Sequence, residues 1–62
     1  AVHERLAHGL FKDAARVLAR GGELWTVWNS HLRYRSALER LVGPTRQVAR
    51  NAKFTVTVSR SA

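Results

Sequence analysis

One run of residues near the middle of the chain constrains its fold more than any other. A glycine pair, Gly21–Gly22, precedes the apolar run Leu24–Trp28, and the polar tip Asn29–His31 follows it. This pattern predicts a helix stop, a fully buried strand and a turn into a second helix. In open α/β sheets, ligands bind beyond the carboxyl ends of the strands. The polar tip is therefore where we expect a substrate to be met.

Helical patterns lie on both sides of this run. Before it, apolar residues recur at steps of three and four, which predicts an amphipathic helix. The predicted apolar stripe is Val2, Leu6, Leu10, Phe11, Ala14, Val17 and Leu18. The glycine pair is expected to end this helix, because glycine adopts the left-handed conformation after a helix without steric cost. His3 and His8 are expected on its solvated face.

The second helix is expected to be capped by Ser30 and to end at Gly43 and Pro44. Its predicted apolar side is Tyr34, Ala37, Leu38, Leu41 and Val42. Trp25 and Trp28 are three positions apart and would point to opposite faces of the first strand. We expect both to pack in the core, with base stacking by an exposed Trp28 as the alternative.

The last part of the chain has the pattern of a hairpin. Thr45–Arg50 predicts a short strand, Asn51–Lys53 a tight connection, and Phe54–Ser59 an alternating strand, so the two strands are expected to pair antiparallel. The order is helix, strand, helix, strand, strand, which is an α/β pattern. Connection rules favour a parallel pair of strands joined by the second helix, with an antiparallel strand added.

The 62-residue chain carries a net charge of +7, and most of that charge lies in its second half. Residues 24–62 contain seven Lys or Arg residues but only one acid, Glu39. Arginine's planar guanidinium suits phosphates and stacks on bases, so a polyanionic partner such as RNA is favoured. The alternative is that arginine reflects a GC-rich genome and the charge serves only solubility.

Composition excludes several other classes of function. The chain has no cysteine, so neither disulfides nor thiolate metal sites are available, and three histidines with four acids make a metal site improbable. No apolar stretch approaches the roughly 20 residues that cross a bilayer, and no signal peptide is apparent. We therefore expect a cytoplasmic protein that binds neither a metal nor a membrane.

Several of these motifs together resemble one enzyme family. They are Leu10-Phe11, Gly21-Gly22-Glu23-Leu24, Asn29-x-His31-Leu32-x-Tyr34 and Val48-Ala49-x-x-x-Lys53-Phe54-x-Val56. This set is similar to the carboxyl-terminal third of bacterial S-adenosylmethionine-dependent methyltransferases of the small-domain (MTS) family. Within that family it most resembles the ribosomal-RNA guanine-N2 methyltransferases. The resemblance extends from about residue 10 to residue 58.

The resemblance implies a class I (Rossmann-like) sheet of seven strands, of which this chain supplies the far edge. Leu24–Asn29 would be the fifth strand and Thr45–Ser59 the terminal hairpin, with the last strand between the fifth and the sixth. The family's glycine-rich cofactor loop, its ribose-binding acid and its Asn-Pro-Pro-aromatic motif have no counterpart here. Residues 1–62 are therefore expected to form a single partial domain that alone binds no S-adenosylmethionine and is inactive.

The same placement gives the candidate site residues. Asn29, His31 and Tyr34 are expected to line the substrate crevice. Asn29 is equally suited to a structural role at the turn, and a lone histidine such as His31 is more often a hydrogen-bonded turn residue. Tyr34 is expected to lie in the core with its hydroxyl reaching the surface. Arg33, Arg35 and Lys53 are the expected contacts to RNA phosphates. No catalytic, cofactor-binding or metal-binding residue is assigned.

Two functions of different classes agree with these patterns. The preferred one is a segment of an RNA methyltransferase; the alternative is a free-standing basic module that binds RNA or a protein. In either case the strand Leu24–Trp28 is apolar on both faces and lacks a neighbour along one edge. An open apolar edge invites pairing with another chain, so the isolated chain is expected to self-associate.

Overall fold

A computed structural model describes residues 4–62, and Val2 and His3 of the predicted first helix lie outside that range. The elements in chain order are α1 (Glu4–Val17), β1 (Glu23–Asn29), a one-turn 3₁₀ helix (Ser30–Leu32), α2 (Arg35–Leu41), β2 (Thr45–Arg50) and β3 (Phe54–Arg60). The protein is thus a small α/β structure with two α-helices and three strands.

The three strands form one sheet in which β3 is central. Both β1 and β2 pair antiparallel with β3, so the order across the sheet is β1, β3, β2. Because β1 and β2 each run opposite to β3, they point in the same direction and their carboxyl ends lie at the same end of the sheet. The connection from β1 to β2 contains α2.

Strand β1 is covered on one face only, so the prediction of a fully buried strand is wrong for the described residues. Leu24 and Trp28 pack against the helices, whereas Trp25 and Val27 are 55% and 67% exposed. Trp25 is therefore not a core residue. The apolar composition on both faces misled the prediction, because the described part of the chain supplies helices to one side of the sheet alone.

The core lies between that covered face and the two helices. Phe11 of α1 and Leu38 of α2 are buried, and Tyr34 is only 6% exposed, as predicted for a core residue. The Phe11 and Tyr34 rings meet edge to face with their centroids 5.6 Å apart, and the Trp28 ring lies 5.9 Å from Tyr34. Such aromatic pairs contribute roughly 0.5–1.5 kcal/mol beyond their burial.

Helix α1 buries a narrower stripe than its apolar residues predict. Ala7 and Phe11 are buried, but Leu6 and Leu10 are about 60% exposed on the neighbouring side of the helix. His8 was expected to be solvated; instead it is half-buried, with its ring 6.3 Å from that of Tyr34. The sheet and α2 cover a surface too small to accept the whole stripe.

Both helix boundaries next to β1 differ from the prediction. Helix α1 ends at Val17, before the glycine pair, and Gly21, at φ 81°, instead forms the turn into β1, where its N–H donates to the Ser61 carbonyl. Helix α2 begins after Tyr34 with no side-chain cap. Ser30 opens the 3₁₀ helix, and its hydroxyl is used elsewhere.

The carboxyl end of α2 follows the prediction. The Gly43 N–H donates to the Leu38 carbonyl, and Pro44 follows at the start of the hairpin. A Cβ on Gly43 would overlap the carbonyl oxygen of Arg60. Glycine is therefore required there by the close approach of the chain end as well as by the helix stop.

Candidate nucleic-acid interface

The carboxyl end of β1 is fastened to the β2–β3 turn by Ser30. The Ser30 N–H donates to the Lys53 carbonyl at 2.8 Å, and its hydroxyl donates to the Asn51 carbonyl at 3.0 Å. Because the one hydroxyl proton of Ser30 is thus engaged, the Thr55 hydroxyl donates to the Ser30 oxygen across 2.9 Å. These bonds hold the 3₁₀ helix and the hairpin turn in one fixed arrangement.

An open cleft of 480 Å³ lies beside this junction. It is lined by Trp28, Ser30, His31, Arg33, Gln47, Arg50 and Thr55. On its floor, the Ser30 and Thr55 hydroxyls bond to each other and Ser30 also bonds to the backbone. Its rim consists of exposed residues, namely His31, Arg33, Gln47 and Arg50. Two guanidinium groups and no carboxylate line it, so its chemistry favours an anionic ligand.

A β-bulge in β2 brings Arg50 to this cleft. Gln47 pairs with Thr57, but Ala49 pairs with Val56, so Val48 is an extra residue on β2. In a regular ladder, residues three apart point to opposite faces. The extra residue restores Arg50 to the register of Thr55, on the same face as Gln47.

The structure brings together only some of the residues expected to form the site. His31 and Arg33 line the cleft. Asn29 is exposed at the end of β1, and its Oδ1 accepts a 3.4 Å hydrogen bond from the His31 N–H, so its carboxamide caps the 3₁₀ helix. Tyr34 is buried in the core and does not line the cleft.

The three expected phosphate contacts differ in their surroundings. Arg33 is exposed and has a left-handed backbone conformation, with φ 57° and ψ 50°. Arg35 lies outside the cleft: its Nη2 donates to the Thr45 carbonyl at 3.1 Å, and its Nε is 3.4 Å from the Glu39 carboxylate. Lys53 is exposed in the hairpin turn that Ser30 holds against the cleft.

The sequence did not predict that Gln47 and Arg50 line the cleft. Strand alternation predicts that Gln47 and Arg50 point to opposite faces, and no residue pattern in Thr45–Arg50 marks the bulge. For Trp28, the sequence offers base stacking only as an alternative to packing in the core. It lines the cleft, but its Nε1 donates to the Thr57 hydroxyl at 3.3 Å and its ring packs on Tyr34.

Metal-ligand clusters and membrane-spanning helices are absent from the described part of the chain. Among the side chains described, those of residues 6–62, no group of three or more His, Cys, Asp or Glu has the arrangement of a metal site. None of the helices in this part of the chain combines the length and apolar character of a membrane span.

Comparison with known proteins gives the family to which this chain belongs. The model of the methyltransferase small domain family matches residues 1–58, which is nearly the whole chain. The chain belongs to the methyltransferase small domain family. The resemblance inferred from the sequence motifs is therefore confirmed.

Individual relatives narrow the class further. The chain is 46% identical over 56 residues to the ribosomal RNA large subunit methyltransferase G of Aeromonas hydrophila and 47% identical over 55 residues to that of Stutzerimonas stutzeri. It is 45% identical over 56 residues to the protein of the same name from Streptomyces avermitilis. These matches cover 90%, 89% and 90% of the chain, but only 15% of each relative.

Proposed function

We propose that this chain is the carboxyl-terminal part of the catalytic domain of an S-adenosylmethionine-dependent methyltransferase that modifies large-subunit ribosomal RNA at guanine N2. Family membership and the names of its relatives support methyl transfer to ribosomal RNA. The choice of guanine N2 rests on the motif resemblance. With ribosomal RNA as the proposed substrate, the cytoplasm is the proposed location of the protein.

The sheet agrees with a position at the far edge of a class I (Rossmann-like) methyltransferase fold. There β1 would be the fifth strand, β3 the last and β2 the sixth, which is the order in which they pair. Trp25 and Val27 on the uncovered face and the unpaired edge of β1 are where the rest of the domain would continue. Residues 1–62 are then a single partial domain.

Within this proposal the segment handles RNA and leaves the methyl donor to other residues. The glycine-rich loop and the motif that holds the target amine would lie outside residues 1–62, which alone would bind no S-adenosylmethionine. Asn29, His31 and Tyr34 remain the proposed residues of the substrate crevice, but only His31 lines the cleft. The buried Tyr34 would act from behind it, by packing against Trp28. Arg33 and Lys53 are the phosphate contacts best placed for it, whereas Arg35 would first have to leave Glu39 and the Thr45 carbonyl.

The cationic cleft carries the proposal. It lies at the carboxyl ends of β1 and β2, the edge of an α/β sheet at which ligands bind. The chemistry of methyl transfer needs the target base to be held in place, and the phosphates beside that base are the groups that guanidinium side chains hold best.

The test is methyl transfer by the full-length protein that contains this chain. Purified protein, unmodified large-subunit RNA and S-adenosylmethionine with a labelled methyl group are incubated, and the RNA is digested and its nucleosides are separated. We expect labelled N2-methylguanosine from large-subunit RNA and none from small-subunit RNA. RNA binding with no methyl transfer would favour the basic binding module instead, and label on another atom would contradict guanine N2.

A further inference from the structure

We propose that Arg50 contacts a phosphate of the RNA substrate in the cleft that it lines together with Arg33. This inference deepens the proposed function and rests on RNA being the substrate. It assigns a binding role to a β2 residue, whereas the sequence pattern pointed to Arg33, Arg35 and Lys53.

The bulge is the first observation that supports Arg50. Without Val48 as an extra residue, Arg50 would pair opposite Phe54 and point to the uncovered face with Trp25 and Val27. With it, Arg50 pairs opposite Thr55 and lines the cleft. Bulges occur beside functional sites where they redirect a side chain. Here the redirected side chain is a guanidinium.

The availability of the two guanidinium groups is the second observation. Among the side chains that the structure describes, those of residues 6–62, the ion pairs occupy Arg16, Arg35 and Arg60, but neither Arg33 nor Arg50. Two unpaired positive charges that line one cleft repel each other, and a bound anion relieves that repulsion. A guanidinium offers a planar pair of N–H donors that matches two oxygens of one phosphate group.

The character of the cleft favours a nucleic-acid phosphate over a carboxylate of a protein partner. The cleft is lined by His31 of the 3₁₀ helix and Arg33 at its C-cap, and by Gln47 and Arg50 of β2, so N–H donors come from two separate segments. The oxygens of a phosphate are arranged tetrahedrally and accept hydrogen bonds from donors in different planes, whereas the two oxygens of a carboxylate accept them best in the one plane of that group. Exposure of the rim leaves room for the chain of nucleotides on either side.

The test compares Arg50→Gln with Arg46→Gln in the full-length protein. Both changes remove one positive charge from β2, but Arg46 pairs opposite Val58 and lies on the uncovered face. Affinity for a labelled single-stranded segment of large-subunit RNA is measured over a series of salt concentrations. We expect Arg50→Gln to lower the slope of log affinity against log salt by about 0.7, the value for one phosphate contact with a single strand. We expect Arg46→Gln to leave it unchanged.

The expected loss of RNA affinity has a definite size, and a second variant keeps the test decisive if Arg50→Gln does not fold. Loss of a charge-assisted contact is expected to weaken binding by between about tenfold and a hundredfold at low salt. Arg50→Lys keeps the charge and is expected to restore the salt slope but only part of the affinity, because lysine lacks the planar fork. Thermal unfolding shows whether the Arg50→Gln protein is folded. If it is not, the comparison of Arg50→Lys with wild type decides, and equal RNA affinities of those two proteins would refute the proposal.

Each remaining outcome separates the two proposals. Equal losses in the two glutamine variants, or an unchanged slope in Arg50→Gln, would refute the role of Arg50 and leave methyl transfer to RNA standing. If Arg50→Gln alone loses RNA affinity but the wild-type protein transfers no methyl group, the phosphate contact of Arg50 is supported and the proposed function is refuted. Displacement of the RNA by inorganic phosphate at equal phosphate concentration would show a site for free phosphate and refute the RNA assignment.

Discussion

Replacing Arg33 by glycine and, separately, by alanine is expected to separate the role of its side chain from the conformation of its backbone. Arg33 has φ 57° and ψ 50°, a conformation that costs a residue with a Cβ about 1–2 kcal/mol. Glycine removes this cost but adds roughly 0.5–1 kcal/mol of backbone entropy to the unfolded chain. The net effect of Arg33→Gly is therefore from about zero to about 1.5 kcal/mol of added stability.

Alanine has a Cβ and therefore keeps the conformational cost. Arg33→Gly is consequently expected to be at least as stable as Arg33→Ala, which reverses the usual order of these residues. The matched control is Arg40, an exposed residue in the last turn of α2, where glycine is expected to be less stable than alanine by roughly 0.5–1 kcal/mol. Hydrogen exchange of the amides at residues 30–42 in the full-length protein measures the local stability of each variant.

Binding is measured on the same proteins. Both Arg33 variants are expected to lose about 0.7 from the salt slope of RNA affinity, because both lack the guanidinium. An Arg33→Gly protein clearly less stable than Arg33→Ala would refute the conformational reasoning. An unchanged salt slope in both variants would refute the assignment of Arg33 as a phosphate contact.

Three further predictions concern stability and association. Phe11→Ala is expected to lower the free energy of unfolding by about 3–5 kcal/mol, because the ring is buried against Tyr34. Leu10→Ala, on the exposed side of α1, is expected to lower it by less than about 1 kcal/mol, and similar thermal shifts of the two variants would contradict the assignment of Phe11 to the core. Gly43→Ala is expected to cost at least about 2 kcal/mol in urea unfolding, because its Cβ would overlap the Arg60 carbonyl; a neutral result would mean that the chain end moves freely. The isolated 62-residue chain is expected to self-associate through β1 in sedimentation, and Val27→Lys to weaken that association; a folded wild-type monomer would overturn it.

Periodicity predicted the types of elements well because each element has a strong local pattern. The alternation in Phe54–Ser59 and the steps of three and four in α2 both correspond to observed elements. The end of α2 was also predictable, since Gly43 and Pro44 act through their own backbone conformation. These features depend on residues close together in the sequence.

What could not be predicted depends on contacts between distant residues. Ser30 is a residue type that commonly caps helices, but its hydroxyl donates to the Asn51 carbonyl in the hairpin turn, 21 residues away. The apolar residues of β1 fit a strand covered on both faces, and only the extent of the surrounding structure shows that one face is open. His8 looks solvated on a helical wheel, yet the aromatic core reaches it.

The residues of the candidate site show the same difference between local patterns, which can be read from the sequence, and long-range contacts, which cannot. Arg33 and His31 follow a strong strand signal, so their position after its carboxyl end can be read from the sequence, and both line the cleft. The involvement of Arg35 with Glu39, four residues on, was readable from helical spacing once the start of α2 was known. Arg50 was not readable, because one unmarked extra residue in β2 decides which face it points to.

Cross-linking of the full-length protein to its RNA tests the central claim most directly, namely that this segment forms part of the RNA-binding wall of a ribosomal RNA methyltransferase. The complex with large-subunit RNA is irradiated with ultraviolet light, and the attached nucleotides are located on the protein by mass spectrometry. The account predicts attachments at residues 28–33 and 47–55, around the cleft. Attachments confined to the exposed side of α1 or to Trp25 on the uncovered face, with none at the cleft, would contradict it.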